Sequence, residues 1–432
     1  MSAGARYRAA VRAGCFTWWR RAIAAVVGTA VAGTAFFLVT PVAQAEEASP
    51  VIEVDSTADA PLASADGSCA DAQGRCTLRA AIMLSNRKGG GTTIVLPAGH
   101  YGLTIPPNPA LIVGDVPDDS TGDLDVLAST KITGAGARTT AIDGNGLDRI
   151  INFSAPNGVS VLSDVTITGG IDREQDVPNA TGGGGIWNYA GQLTLERDTV
   201  TGNRADYGAG VFSNPSATTV VDSSTVSNNV AYHEAGGIRF DGSGTADNST
   251  ITGNQVLATC CSDTTSDGGA YGEGGGVDVR GTGPVRISNS TITDNHAVIG
   301  GGGVNAAFAY QDTVRTSPSP TGGEVLLVNT IVAGNTSDYG SGDCKQSSAP
   351  IVSLSHNMDT DGSCGLVSPG DQPRTDPELG PLSDNGGPTD TQAEFRKSPA
   401  IDAGDESACP TYDQRGILRG NPCDIGSFES EG

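Results

Sequence analysis

Apolar and polar residues alternate along short stretches of the chain, and each stretch stops at a polar turn. The segment LTLERDTVTGN at 193–203 shows this pattern, and VVDSSTVSNN at 220–229 repeats it. Alternation with a period of two is typical of half-buried β-strands. Helix-period patterns are scarce in this chain, which holds 61 glycines. The pattern therefore predicts many short strands joined by turns.

The phrase that closes each stretch recurs at a nearly constant spacing. Its threonine stands at 199, 225 and 250, in steps of 26 and 25 residues. A period in the twenties is the mark of a solenoid. A glycine-rich phrase alternates with the first one: GGGI at 183–186, GAGV at 208–211, AGGI at 235–238, and GGGV at 274–277 and again at 301–304.

One repeat is long enough for a coil of three short strands around a narrow core, because a strand rises ~3.3 Å per residue. We therefore predict an all-β fold, a parallel β-helix solenoid with about three strands per coil. The longer steps after Thr250 fit coils with insertions better than leucine-rich or propeller repeats, whose signatures are missing. The expected inward β-branched residues are Val200, Val226, Ile251, Ile292 and Ile331. The asparagines expected to form a ladder at a left-handed turn are Asn203, Asn229, Asn254, Asn295 and Asn335.

The patterns divide the chain into four regions. Residues 1–45 combine a basic stretch, an apolar run and an A-x-A cleavage pattern, which predict a signal peptide; a membrane anchor is the alternative. Residues 46–91 form an N-terminal cap with a short helix over 77–86 that Thr77 begins. Residues 92–367 form the β-helix, of about nine or ten coils. Residues 368–432 form an irregular C-terminal tail.

The chain is strongly acidic once the predicted signal peptide is removed. Five of the 25 Lys and Arg residues and none of the 49 Asp and Glu residues lie in 1–45, which leaves a formal charge of −29. Such a surface repels nucleic acids and anionic lipids. We therefore expect no nucleic-acid partner and no stable membrane insertion after signal cleavage. The expected product is a secreted monomer, extracellular and free or associated with a cell surface.

Eight cysteines remain after residue 45, an even number that is typical of disulfides in an exported chain. Close spacing favours the pairs Cys69 with Cys76, Cys344 with Cys364, and Cys409 with Cys423. The adjacent Cys260 and Cys261 are either a vicinal disulfide or two free thiols.

Short motifs at both ends resemble a known group of proteins. CTLRAAI at 76–82, followed by TTIVLPAGHYGLT at 92–104, resembles the CSLREA motif at the start of many secreted bacterial right-handed parallel β-helix proteins. The tail resembles the choice-of-anchor Q domain that follows such helices, through LGPLSDNGGPTDT at 379–391, SPAIDAGD at 398–405, CPTYDQRG at 409–416 and CDIGSFE at 423–429. The resemblance implies a pectin-lyase-like fold with right-handed coils in an exported protein, and no established activity. Related chains continue into a sorting segment, whereas this sequence stops at Gly432, so we expect release.

Stacked coils place equivalent residues side by side, so a binding site can be sought in columns. One outward column follows the glycine-rich phrase: Trp187, Phe212, Arg239, Asp278 and Asn305. The turns that lead into the same strand bring Asp206, His233, Glu234 and Glu273 nearby. Aromatic rings beside polar groups form a platform suited to a sugar chain. The alternative is a solvated sheet face with scattered aromatic residues.

Two sets of carboxylates could hold calcium through oxygen ligands. Glu196, Asp222 and Asp247 form one column in consecutive coils. Asp119, Asp123 and Asp125 lie in one acidic loop. Neither set has EF-hand spacing, and acidic turns are commonly only solvated.

The sequence is compatible with two functions. One is non-catalytic binding of glycans or surfaces, as in an adhesin or matrix protein. The other is an extracellular polysaccharide lyase or glycoside hydrolase of pectin-lyase-like fold. The catalytic motifs of polygalacturonases and pectate lyases are not found, so no catalytic residue is assigned.

Overall fold

The structure is a computed structural model that describes residues 49–108, 119–172, 182–257, 272–281, 283–307 and 323–431. The described residues belong to one compact unit, Ala48–Gly432. The predicted signal peptide and the pair Cys260 and Cys261 lie outside the described residues.

A single helix, α1 (Leu78–Lys88), is present in the described ranges. Thr77 is its N-cap and accepts a hydrogen bond from the backbone of Ala80, as predicted, and Gly89 ends it in the left-handed conformation. Residues 78–85 are all buried. The charged Arg79 can be buried with them because its guanidinium pairs with Asp59. The helix therefore packs against the first coils as the expected cap.

Thirty-two strands follow one another along the described chain. The first twelve are β1 (Val51–Glu53), β2 (Thr92–Val95), β3 (Gly99–Gly102), β4 (Leu124–Val126), β5 (Thr130–Thr133), β6 (Thr140–Asp143), β7 (Ile151–Ser163), β8 (Thr166–Thr168), β9 (Ile186–Glu196), β10 (Thr199–Thr201), β11 (Arg204–Tyr207) and β12 (Val211–Ser213). The next ten are β13 (Ala217–Asp222), β14 (Thr225–Ser227), β15 (Val230–Glu234), β16 (Ile238–Phe240), β17 (Ser243–Asp247), β18 (Thr250–Thr252), β19 (Gln255–Val256), β20 (Val277–Val279), β21 (Val285–Ser288) and β22 (Thr291–Thr293). The last ten are β23 (His296–Ala297), β24 (Val304–Ala306), β25 (Val325–Val328), β26 (Ile331–Ala333), β27 (Thr336–Ser337), β28 (Cys344–Gln346), β29 (Ile351–Ser355), β30 (Met358–Asp359), β31 (Leu379–Ser383) and β32 (Thr391–Glu394).

The strands of the coils stack one upon another in parallel, which makes the fold a parallel β-helix, and β31 and β32 form a separate antiparallel pair. A sheet of nine strands runs β3-β6-β8-β10-β14-β18-β22-β26-β30, and one of five strands runs β11-β15-β19-β23-β27. A sheet of 16 strands forms two faces, because the long strands β7 and β9 pair with different neighbours along their two halves. The first face is β4-β7-β9-β12-β16-β20-β24-β28, and the second is β1-β2-β5-β7-β9-β13-β17-β21-β25-β29.

The core is a set of columns of aliphatic side chains that point into the helix. Val200, Val226, Ile251 and Ile292 are register partners and are fully buried, as predicted. The expectation for Ile331 is wrong, since Val332 pairs with Ile292 and Ile331 pairs with Thr291. Ile331 faces the opposite way and packs against the tail residues Ala400 and Ile425.

The predicted asparagine ladder is present and buried. The Nδ2 of each asparagine donates to the Oδ1 of the next one at 2.9–3.0 Å, from Asn203 to Asn335. A second bond from each Nδ2 reaches a backbone carbonyl of the preceding coil, and Asp343 accepts the last amide. The expected left-handed geometry belongs to the residue before each asparagine, namely Gly202, Asn228, Gly253, Asp294 and Gly334.

The tail lies along the outer side of the nine-stranded sheet. Gln414 donates to Thr225 at 2.9 Å and accepts from Thr250 at 2.7 Å. Backbone carbonyls of the tail accept hydrogen bonds from Asn248, Asn289 and Asn329, which stand in left-handed conformation at one turn of consecutive coils. The C-terminal region therefore covers outward side chains of β14, β18, β22 and β26.

Disulfides join Cys69 to Cys76, Cys344 to Cys364, and Cys409 to Cys423, the pairs expected from spacing. Among the described residues, no helix is both long and apolar enough to cross a membrane.

Replacing Asn254 with alanine should lower the free energy of unfolding by about 2–4 kcal/mol, because buried partners lose hydrogen bonds on both neighbouring coils. Chemical denaturation followed by circular dichroism measures the change. The control is Asn228→Gly, in the preceding coil's turn, where the residue is exposed and has a φ of 54° that glycine adopts readily. Equal stability of Asn254→Ala and the parent protein would contradict the role of the ladder.

Candidate functional site

The predicted outward column lies on the first face, and its members are neighbours on successive coils. Phe212 pairs with both Trp187 and Arg239, and Arg239 pairs with Asp278. Asn305 continues the column beyond Asp278. Two further members precede Trp187 and one follows Asn305: Asp125, Asn152 and Lys345.

The column is not the exposed floor that the sequence suggested. Trp187 is 4% exposed, Phe212 is 7% exposed and Asp278 is fully buried. The glycine-rich turns close onto these side chains: a Cβ at Gly208 would lie 2.9 Å from the Cβ of Phe212, and one at Gly274 would collide with that of Asp278. Both glycines have positive φ, so the turns need glycine for space and for backbone conformation.

Aromatic rings occupy one end of the column. The rings of Trp187 and Phe212 are nearly parallel, with centroids 6.5 Å apart. Tyr189, two residues after Trp187, packs edge-on against the indole at 5.0 Å and is 43% exposed. The guanidinium of Arg149 lies over the Trp187 ring, 4.4 Å from its centroid. Tyr189 is therefore the ring that a ligand in solvent meets first.

A network of ion pairs occupies the middle of the column. Arg239 binds Glu234 and Asp241 and also lies 5.2 Å from the centroid of the Phe212 ring. Arg280 binds the other oxygen of Glu234 at 3.1 Å and Asp278 at 2.7 Å. The sequence reasoning missed Tyr189, Asp241 and Arg280, although each stands two residues after a column member, where alternation again points a side chain outward.

The remaining predicted residues fall around this network. Glu273 pairs with Arg280 and accepts a hydrogen bond from Ser347. His233 packs against the ring of Tyr207 with centroids 5.3 Å apart, and Asp206 precedes Tyr207 in β11. The insertions that lengthen the coils after Thr250 fall largely in 258–271 and 308–322, which lie outside the described residues. We call the following set the outer strip: Trp187, Tyr189, Phe212, Glu234, Arg239, Asp241, Glu273, Asp278 and Arg280.

Burial changes the acidity of two carboxyls in the outer strip. It raises the pKa of Glu234 to about 7, against the opposing effect of Arg239 and Arg280. It also raises the pKa of Glu273, again opposed by Arg280. Glu234 therefore changes charge near neutral pH, between two guanidinium groups.

Carboxylates of the first candidate calcium set already bind other side chains of the protein. Glu196, Asp222 and Asp247 are register partners, as predicted. Arg197 pairs with Glu196, and Asp247 accepts hydrogen bonds from neighbouring Ser and Asn side chains. Burial raises the pKa of Asp222. Their mutual repulsion is relieved by these hydrogen bonds and by one arginine.

The second candidate set has similar partners. Asp119 accepts a hydrogen bond from Asn86, and Asp125 accepts one from Asn152. Asp123 lies 3.4 Å from a guanidinium nitrogen of Arg149. Burial and the charge of Asp125 raise the pKa of Asp123. Within the described ranges, no group of three or more His, Cys, Asp or Glu side chains is arranged to hold a metal ion.

The coil topology defines the class of protein to which this chain belongs, the right-handed parallel β-helix proteins. No known protein family matches the chain, and no curated protein matches it. Two solved structures are similar to it. One is the pectate lyase Pel9A, with 12% identity over 88% of this chain and 96% of that chain and a TM-score of 0.44. The other is the A-module of the Azotobacter vinelandii mannuronan C-5 epimerase AlgE6, with 20% identity over 68% and 88% and a TM-score of 0.30.

Phe212→Ala should lower the free energy of unfolding by about 3 kcal/mol, because it removes a buried ring from between Trp187 and Arg239. Tyr189→Ala should cost about 1 kcal/mol or less, since that side chain is 43% exposed and keeps only part of its surface packed. Urea denaturation of both variants measures the difference. Equal losses would contradict the buried position of Phe212.

The stability of the protein should depend on the charge of Glu234. Its pKa is raised from 4.5 to about 7 in the folded state, so the folded state binds this proton more tightly than the unfolded chain does. The contribution of Glu234 to the free energy of unfolding is therefore complete below pH 4.5 and declines as the pH rises through 7. Glu234→Gln removes the titration, so the stability of the parent relative to this variant should fall by about 1–3 kcal/mol over that interval.

Denaturation at several pH values tests this expectation, with the exposed Glu406→Gln as the control. Profiles of the parent and Glu234→Gln that run parallel would show that Glu234 does not titrate in this range.

Proposed function

We propose that this protein is an extracellular β-helix protein that binds a glycan along the outer strip without cleaving it. The observation that carries the proposal is the alignment, on adjacent coils, of aromatic rings with paired charged groups. Coils repeat about every 4.8 Å, close to the length of one sugar unit, so a glycan running along the helix axis would meet an equivalent position at each coil. Tyr189 offers an exposed ring, and Asp241 and Glu273 are the more accessible carboxylates of the outer strip, two or more coils further along.

The charged groups of the outer strip favour binding over catalysis. Glu234 has a pKa near neutrality, as a general acid would need. However, its two oxygens bind Arg239 and Arg280, and its side chain is 5% exposed. A group so enclosed is poorly placed to transfer a proton to a sugar. A polysaccharide lyase or glycoside hydrolase is therefore the second candidate.

Three disulfides support an oxidising location outside the cytoplasm. We infer that residues 1–45 direct export and that the mature protein is a monomer that does not bind nucleic acid. The relationship to CSLREA and choice-of-anchor Q proteins remains part of this proposal, since no family match supports it.

Tyr189→Ala should weaken glycan binding about tenfold, because one ring–sugar contact contributes about 1–1.5 kcal/mol. Affinity electrophoresis against a panel of plant and bacterial polysaccharides first identifies a ligand, and calorimetry then gives the affinities. The control is Tyr412→Ala, which removes a tyrosine of the tail that is 55% exposed, against 43% for Tyr189. Unchanged affinity in Tyr189→Ala would contradict the proposed strip. Release of reducing ends or of unsaturated products by the parent protein would favour the enzyme instead.

A further inference from the structure

We propose that the glycan of the outer strip carries free amino groups and is not a polyuronate. This inference rests on the proposed function and names the chemical class of its ligand. It follows from the balance of charge in the outer strip, from the state of its arginines and from the rings that surround them.

Carboxylates outnumber cations in the outer strip. Its two cations are Arg239 and Arg280, and its four acids are Glu234, Asp241, Asp278 and Glu273. Even when Glu234 is protonated, three carboxylates face two guanidinium groups. The surplus attracts a cationic ligand and repels an anionic one, in a protein whose net charge is already strongly negative.

Both arginines are already engaged by carboxylates of the protein. Each makes charge-assisted bonds to at least two of them, and their side chains are only 14% and 10% exposed. Recognition of a uronate needs a guanidinium or amine that is free to bind its carboxylate. The cation next to the aromatic end, Arg149, faces Asp123 and Asp172 at 3.4 and 3.7 Å. Lys345 lies two coils beyond Asp278, outside the strip, and could meet one carboxylate at most.

The rings of the column already accommodate cations. Arg149 lies over Trp187, and Arg239 lies over Phe212 and Tyr207. Aromatic faces attract ammonium groups in the same way. Tyr189 is the exposed ring of this group, so a glycan that stacks on it and runs along the coils would carry its ammonium groups past the surplus of carboxylates.

Two buried atoms of the column also point to a hydroxylated ligand. Trp187 Nε1 and Asn152 Oδ1 have no hydrogen-bond partner among the residues that the structure describes. The two residues are register partners on adjacent coils and are 4% and 6% exposed. An unpaired buried polar group is costly and calls for a partner. A sugar hydroxyl both donates and accepts, so it suits either atom.

The test measures the binding of three oligosaccharides of equal length to the mature protein by calorimetry: chitosan, its fully acetylated counterpart and oligogalacturonate. We expect chitosan to bind at least tenfold more tightly than the acetylated form, with a preference that shrinks as salt is added. We expect no measurable binding of oligogalacturonate. Asp241→Asn should reduce the preference for chitosan severalfold, and Glu273→Gln is a second variant in case the first does not fold. The exposed Asp402→Asn is the matched control and should leave the preference unchanged.

The possible outcomes distinguish failure of this inference from failure of the proposed glycan binding. Oligogalacturonate that binds as well as chitosan would overturn the inference and leave glycan binding intact. Equal affinities for chitosan and its acetylated form would also overturn it. If neither these three nor the wider polysaccharide panel binds, the proposed function itself fails.

Discussion

The register between coils is the constraint on which the whole structure depends. Each coil is too short to bury its own apolar residues, so it is stable only when the next coil places an equivalent residue on top of it. The asparagine ladder enforces this register from inside a turn, because each amide bonds to the next amide and to the backbone of the preceding coil. A slip by one residue would break these bonds and turn the aliphatic columns away from the core.

The same register creates the candidate site. Residues at one position of the repeat become neighbours in space, and the glycine-rich turns press them into contact. Here the repeat brings aromatic rings next to arginines and carboxylates, which then neutralise one another inside a poorly hydrated layer. The layer is largely buried and rich in carboxylates, and that combination determines which ligands the outer strip could accept.

The C-terminal tail depends on the register as well. Asn248, Asn289 and Asn329 hold left-handed conformations at the same turn of consecutive coils, so their amides present an evenly spaced row of donors. The tail lies along this row and covers the polar side chains of the nine-stranded sheet. Without the tail, the outward Ile331 would be exposed to solvent. Coil and tail are thus parts of a single folded unit.

The repeat in the sequence was enough to predict the parallel coils and the ladder, and the spacing of residues outside the repeat predicted the capping helix and the disulfide pairs. The prediction for Ile331 was wrong because the last phrase was aligned from its start. When it is aligned from its closing Asn335, Ile331 is equivalent to Thr291 of the preceding coil. The outward column was also found, but its burial was not, because alternation tells which way a side chain points and not what covers it. The turns that cover Phe212, the ion pairs that engage Arg239 and Arg280, and the pKa of Glu234 all arise from contacts between coils. Such contacts depend on distances across the fold, and only the tertiary structure decides them.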